Sequence, residues 1–281
     1  MQSTPKTTLI ETKQSWFYFD IQGIWEYRDL ILLLVKRDFI ARYKQTVLGP
    51  LWFIIQPILM TFLFSFIFAR VAKIPTDGIP SNLFYLCSLM IWNYFSQSFS
   101  NIAGSFIANA HIYQKVYFPR LIIPISLTLS NTFTLLLQLA TFFAFFFYYQ
   151  YAGAALSFHK SMLYFPLVYL HTLALALGVG LWMSALTAKY RDLSHLTQFI
   201  MQLWMYATPI IFPLSEVPAS YKWIILLNPM SAIVETTKYL FLSAGGVTPL
   251  QYSGSLILTV FLLTTGVLLY QRVERTFVDT L

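Results

Sequence analysis

Six stretches of this chain, at residues 51–71, 83–107, 121–149, 162–188, 195–213 and 252–270, are apolar and carry no Asp, Glu, Lys or Arg at their centres. A hydrocarbon core about 30 Å thick is crossed by about 20 residues of helix, so each stretch is long enough to span a bilayer. The runs are unbroken. A transmembrane barrel would show strands of about ten residues with alternating polarity, and that fold is excluded. Composition agrees: 10% of the chain is charged and 57% is hydrophobic, where soluble domains carry about 25% charged residues. Too little polar surface remains for a water-soluble globule, which excludes a soluble enzyme, a disordered regulator and a fibrous protein. Pro57, Pro124 and Pro209 fall inside the runs, as membrane helices tolerate when neighbours satisfy the freed carbonyls. The expected fold is all-α integral membrane.

Charge placement sets the expected orientation. The net charge is +7, but in a membrane chain the position of each cation matters more than the sum, and no nucleic-acid partner is implied. An even number of spans puts both termini on one side. That side collects 13 of the 18 basic residues: seven before the first run, then Lys115, Arg120, Lys189, Arg191, Arg272 and Arg275. The opposite side has Arg70, Lys73, Lys160, Lys222 and Lys238. The asymmetry predicts cytoplasmic termini. Residues 1–15 are polar, and no short apolar run with a small-residue cleavage site follows, so no leader is expected. One cysteine, Cys87, leaves no internal disulfide and no cysteine metal cluster.

Two further segments are not spans. Residues 24–47 mix Ile24, Leu30, Leu34 and Phe39 with Arg28, Asp29, Lys36, Arg37, Arg42 and Lys44. That charge density suits an amphipathic interface helix lying on the cytoplasmic surface. Residues 1–23 before it form a cytoplasmic tail. Residues 214–250 are apolar but broken by Pro218, Asn228-Pro229 and Gly245-Gly246, and they carry Glu216, Lys222, Glu235 and Lys238. Two short helices meeting at Asn228-Pro229 fit better than one span, as a re-entrant pair on the outer side between spans five and six. A simple exterior loop is the alternative.

The absence of intramembrane charge constrains mechanism. Ion-coupled transporters and proton relays place ionisable groups at membrane depth. Here only His171 and His195 come near, and a lone histidine near a helix end is usually structural. No zinc-protease signature, facing Asp pair or nucleophile elbow occurs, so the chain is expected to be no enzyme. It also lacks a phosphate-binding loop for ATP. A pump with neither ion relay nor nucleotide site needs a partner to supply energy, docked on the cytoplasmic face.

The residues at the junctions resemble a known family. The interface segment runs into Thr46-Val47-Leu48-Gly49-Pro50-Leu51-Trp52 and then Pro57. Tyr117-Phe118-Pro119-Arg120 follows the second run and Lys189-Tyr190-Arg191-Asp192-Leu193 the fourth. Pro209-Ile210-Ile211-Phe212 closes the fifth, and Asn228-Pro229 sits in the outer pair. This ordered set, covering about residues 25–275, resembles the membrane subunit of ABC-2 type polysaccharide exporters, the permeases for O-antigen, capsule and teichoic-acid chains carried on a polyprenyl lipid. The resemblance implies a homodimer with two copies of an ABC ATP-binding subunit, which would bind the ATP and Mg; this chain would hold no cofactor. It implies a channel between the two copies in a bacterial inner membrane. Coupling to the ATPase would fall to Arg28, Lys36, Tyr117 and Arg120, and the outer gate to Asn228 and Pro229.

The chemistry of the runs suits such a channel. Sugars stack on aromatic faces and hydrogen-bond to neutral polar groups. On the second run Tyr85, Trp92, Phe99 and Phe106 recur every seven residues, beside Asn93, Gln97, Ser100 and Gly104 at helical spacing. Trp92, Asn93, Gln97, Phe99, Trp204 and Tyr206 are the candidate lining. The same aromatics would also serve against lipid or between helices. A lipid pyrophosphate wants cations and free backbone N–H groups. Arg42 and Lys44, just before Leu48 and Gly49, are the candidates for its entry, although ordinary flanking charge against anionic lipid would look the same. An ABC-2 permease for a drug or small lipid shares this architecture. An integral-membrane enzyme of lipid-linked sugar metabolism would need a cluster of ionisable residues at one face, which the sequence lacks.

Overall fold

In a computed structural model the described residues are 21–44, 48–113, 118–190 and 192–277; they are helix and connecting turn, with no strand among them. Two helices open the chain, α1 (Ile21–Glu26) and α2 (Arg28–Tyr43), followed by α3 (Trp52–Phe64), which continues as a π-helical segment over Ser65–Val71. Then come α4 (Ser81–Ala103), two single turns α5 (Ser105–Ala108) and α6 (Ala110–Tyr113), α7 (Ile122–Tyr151), α8 (Phe165–Lys189) and α9 (Leu193–Tyr206). A short pair, α10 (Ala219–Leu227) and α11 (Pro229–Leu242), precedes the last helix, α12 (Pro249–Phe277).

Proline marks five of the twelve described helix starts. Pro80 and Pro218 immediately precede α4 and α10, Pro229 and Pro249 open α11 and α12, and Pro166 sits in the first turn of α8. The ring pre-sets helical φ where the missing N–H has no partner to lose. Pro57 alone sits well inside a helix, α3.

Four helical segments are long and apolar enough to cross a bilayer: Trp52–Val71, Ile122–Tyr151, Lys160–Lys189 and Pro249–Val273. They match four of the six expected spans. Helix α4 stands where the second was expected, and its 23 residues are long enough, but its Ser, Asn, Gln and Tyr content makes it more polar than the others. Helix α9 stands where the fifth was expected and is shorter than the apolar run there. It has 14 residues, about 21 Å, because Pro209 disfavours helix at the residue before it and the chain turns away.

Helix α4 is the axis of the molecule. Every residue from Leu83 to Trp92 is buried, so the first half of this helix shows no face to the outside. It packs against α3, α7, α8 and α11. Polar side chains tie the neighbours together: the Thr187 hydroxyl donates to the Ala103 carbonyl at 2.7 Å, Ser105 pairs with Ser184 at 3.0 Å, and Asn131 donates to Ser98 at 3.1 Å. Helix α2 lies against α7 through buried Ile31 and Leu34 and an edge-on contact of Phe39 with Phe133 at 4.5 Å, leaving Arg28, Asp29, Lys36 and Arg37 exposed.

The closest helix contact is α8 on α12. A Cβ on Gly178 would fall 2.7 Å from the Leu263 backbone nitrogen, and one on Gly266 would fall 2.5 Å from the Gly178 carbonyl oxygen. The crossing is therefore backbone against backbone, the arrangement small residues permit when lipid gives no hydrophobic push. The Trp182 indole N–H donates to Thr265 at 3.0 Å, and His171 Nε2 meets the Thr259 hydroxyl at 2.9 Å. His171 is buried there.

We expect Gly178→Val and Gly266→Val each to destabilise the detergent-solubilised chain by about 1–3 kcal/mol or more, read as a lowered thermal midpoint. Gly254→Ala, on the same helix α12 where a Cβ meets nothing within 4 Å, should leave the midpoint unchanged.

Candidate functional site

The second half of α4 changes character. Tyr94, Phe95, Ser98, Phe99, Ile102 and Ala103 stay buried, but Asn93, Ser96, Gln97, Asn101 and Gly104 are part-exposed and Ser100 is exposed. At helical spacing these form one edge. It is polar, uncharged and only partly covered by the chain's own helices, with Asn101 donating to Asn131 of α7 at 3.3 Å. Amide and hydroxyl groups set against acyl chains would each cost several kcal/mol, so this edge suits a polar neighbour better than lipid. Helix α9 packs beside α4, with Trp204 edge-on to Phe95 at 5.1 Å. Its packed side carries Thr197 and Met201, while Ser194, His195, Gln198 and Gln202 are exposed.

The residues expected to line a path divide. Trp92 is 4% exposed and Phe99 is 0% exposed. Both rings pack on Phe95, at 5.6 and 6.3 Å. With Tyr85 and Phe106, also fully buried, they make the seven-residue aromatic stripe part of the single chain's core. Asn93 and Gln97 lie on the open edge; Trp204 is half-buried and Tyr206 is exposed.

Trp204 leads to the outer pair. Its indole N–H donates to the Asn228 side-chain oxygen at 2.7 Å, which also accepts from the Met230 backbone N–H at 3.0 Å and so caps α11. The Asn228 amide donates to the Ala207 carbonyl at 3.2 Å and the Thr208 hydroxyl at 2.9 Å. One side chain thus fastens the end of α9 to the joint between α10 and α11. Pro229 is buried, and its carbonyl accepts from Ser255 of α12 at 3.0 Å.

A second fastening was not foreseen. Glu235 and Lys238 are both 1% exposed. The Lys238 ammonium donates to Glu235 Oε1 at 2.9 Å and to the Pro209 carbonyl at 2.6 Å, and lies 4.1 Å from the centre of the Phe84 ring. The other Glu235 oxygen accepts from the Gly246 N–H at 3.1 Å. This buried pair joins α11 to α4, to the turn after α9 and to the loop before α12. Lys238 is consequently no free flanking charge.

On the opposite end, Phe118, Ile122 and Ile123 share an apolar cluster with Ile31 and Leu34 of α2. The elements that carry Arg28 and Lys36 therefore meet the segment that carries Arg120. Arg28 and Lys36 are exposed and Arg120 is half-buried; Tyr117 lies outside the described residues. Lys44 and Leu48 are exposed, and Gly49 adopts a positive φ of 51° that favours glycine. The Arg42 side chain lies outside what is described.

Comparison with known proteins follows the same outline. Residues 29–242 match the family model described as ABC-2 type transporter. An O-antigen export system permease protein RfbA of Klebsiella pneumoniae is 31% identical over 255 residues, covering 90% of this chain and 95% of the relative. A second protein of that name from Klebsiella pneumoniae is 29% identical over the same shares. One from Myxococcus xanthus is 28% identical over 224 residues, 79% of this chain and 83% of the relative. The chain belongs to the ABC-2 type transporter family, and it is a membrane-embedded permease subunit of that family. The resemblance carried by the junction motifs holds.

Breaking a buried pair by removing one partner costs about 3–5 kcal/mol, because the other charge is stranded. Lys238→Met alone should therefore lower the thermal midpoint strongly. Combining it with Glu235→Gln should recover at least half of the loss.

Proposed function

We propose that the chain is the channel-forming permease subunit of an ATP-driven exporter that moves a polyprenyl-lipid-linked polysaccharide out of the cytoplasm across a bacterial inner membrane. The observation that carries this reading is the near full-length likeness to permeases named for O-antigen export. The uncharged polar edge of α4 supports it. Amide and hydroxyl contacts contribute about 0.5–1.5 kcal/mol each, weak enough for a polymer to be released from one position as the next arrives. Helices α4, α7 and α9 contain no Asp, Glu, Lys or Arg, α3 with its π-helical extension and α8 confine theirs to the last turn, and α12 to its last two turns. Among the described residues, the buried histidine and charged side chains are His171, hydrogen-bonded to Thr259, and the Glu235–Lys238 pair, which are engaged by their own neighbours rather than strung along a path.

In this reading α4 and α9 complete six spans, both termini are cytoplasmic, and two copies of the chain meet with α4 edges towards a common path. Asn93, Gln97, Trp204 and Tyr206 line it, and Trp92 and Phe99 support the wall from behind. The lipid pyrophosphate enters at Arg42, Lys44, Leu48 and Gly49. Two ATP-binding subunits, which hold ATP and Mg, dock on Arg28, Lys36 and the Tyr117–Arg120 segment. The Asn228–Pro229 joint of the outer pair acts as the exit gate, held by Trp204.

Two measurements test this. Cys87 is buried, so an introduced cysteine reports against a quiet background. Asp77→Cys should react with an impermeant thiol reagent in intact cells and Lys13→Cys should not; the reverse pattern removes the topology. In cells that depend on this chain for surface polysaccharide, Gln97→Glu should reduce export more than Gln97→Ala, because an unpaired charge at membrane depth costs about 2.5–3.5 kcal/mol. Equal export by both variants removes Gln97 from the path.

A further inference from the structure

A cleft of about 200 Å³ lies where the short helical pair meets the rest of the chain. Its walls come from five separate parts of the chain. Asp77 stands on the α3–α4 connection, Ser215 on the turn after α9, Lys222 on α10, Glu235 on α11 and Gln251 on α12, with Leu226 as the apolar wall. A single water occupies about 30 Å³, so the cleft is built for something larger. It is also smaller than the about 300–1,000 Å³ of drug-sized pockets.

The hydrogen-bonding inventory shows what is left over. Ser215 donates to Asp77 Oδ1 at 2.7 Å. The two Glu235 oxygens are taken by Lys238 and the Gly246 N–H. Gln251 Oε1 accepts from the Thr248 N–H at 2.9 Å. Asp77 Oδ2, the Lys222 ammonium and the Gln251 amide N–H groups make no hydrogen bond to a described residue. An acceptor, a cationic donor and a neutral donor therefore remain open around one small volume.

Charge decides the class of ligand. The carboxylates of Asp77 and Glu235 are balanced by Lys222 inside the cleft and Lys238 behind it. A phosphate or pyrophosphate would meet two carboxylates and only one open cation. A divalent cation would meet that cation, with one of its two carboxylates already neutralised. A neutral polyol, whose hydroxyls each donate and accept, matches the open groups without leaving a charge unbalanced.

We propose that this cleft binds one neutral sugar unit of the exported chain as it leaves the permease. The identity of the ligand as part of the cargo rests on the function proposed above; the cleft's preference for a polyol rests on its own walls. A sugar held there contacts the α3–α4 connection, both helices of the outer pair and α12 at once. It would thus occupy the point where those elements meet, and the next unit could not slip back without breaking all of those contacts.

Leu226→Cys places a thiol in the cleft wall without removing a hydrogen-bonding group, and Ser215→Cys gives a second reporter. The full chain is purified and labelled with a small maleimide, alone and with methyl glycosides of glucose, galactose, mannose and N-acetylglucosamine at tens of millimolar. At least one glycoside should slow labelling of both reporters about threefold, as mass action gives near twice the dissociation constant. Trp223→Cys, exposed beside Lys222, should label at one rate throughout. Adding Asp77→Asn and Lys222→Gln should abolish the protection. The proposal is overturned if none of the four glycosides protects, if inorganic phosphate protects better, or if protection survives loss of Asp77 and Lys222. Export of surface polysaccharide by the unmodified chain is measured in parallel. Export without protection removes the cleft alone, whereas protection without export removes the cargo assignment and leaves a sugar site.

Discussion

Inside a bilayer no water is available to satisfy a polar group, and the organisation of this molecule follows from that. A buried amide or hydroxyl is stabilised by a partner within the bundle, and several helix contacts supply one: Thr187 on Ala103, Asn131 on Ser98, Trp182 on Thr265. Helix α4 receives the first two of these near its end, from α8 and α7, and its first half is closed in from every direction. Its remaining edge, with Asn93, Gln97 and Ser100, is what the bundle leaves unsatisfied. The same rule that packs the core thus marks the surface that suits a polar neighbour better than lipid.

The outer pair obeys the rule with a charge. Glu235 and Lys238 are removed from solvent only because the Pro209 carbonyl, the Gly246 N–H and the Phe84 ring complete their coordination. Asn228 does the neutral equivalent, spending both ends of one amide on α9 and α11. The pair is consequently bolted to the bundle at two points, one ionic and one not.

Much of this was legible in the sequence, for reasons that can be named. Four spans declared themselves by length and apolarity, and the break at Asn228-Pro229 by turn chemistry. The seven-residue spacing of Tyr85, Trp92, Phe99 and Phe106 suggests one stripe, but α4 ends at Ala103 and Phe106 packs in a separate cluster with Tyr270. Periodicity gives a face, however, and says nothing of what covers it; here α7, α8, α9 and α11 do. The end of α9 was misjudged because apolar residues continue to 213 while the helix does not. The Glu235–Lys238 pair was visible as two charges three residues apart, but its other partners come from 29 and 11 residues away, beyond any local pattern. The entry of Asp77 into the outer cleft, from a loop 138 residues before Ser215, was equally invisible.

The Gly178–Gly266 crossing has a mechanical consequence. Two helices that touch through backbone atoms have no side-chain rotamers at the contact to exchange for others, so α8 and α12 can tilt or translate only together. Helix α9, by contrast, leaves much of its surface exposed and packs through Thr197, Met201, Trp204 and Met205 on one side, with Trp204 tied to Asn228. Of the two contacts, the α8–α12 crossing is the one that a side-chain rearrangement cannot loosen, because no side chain stands between the backbones.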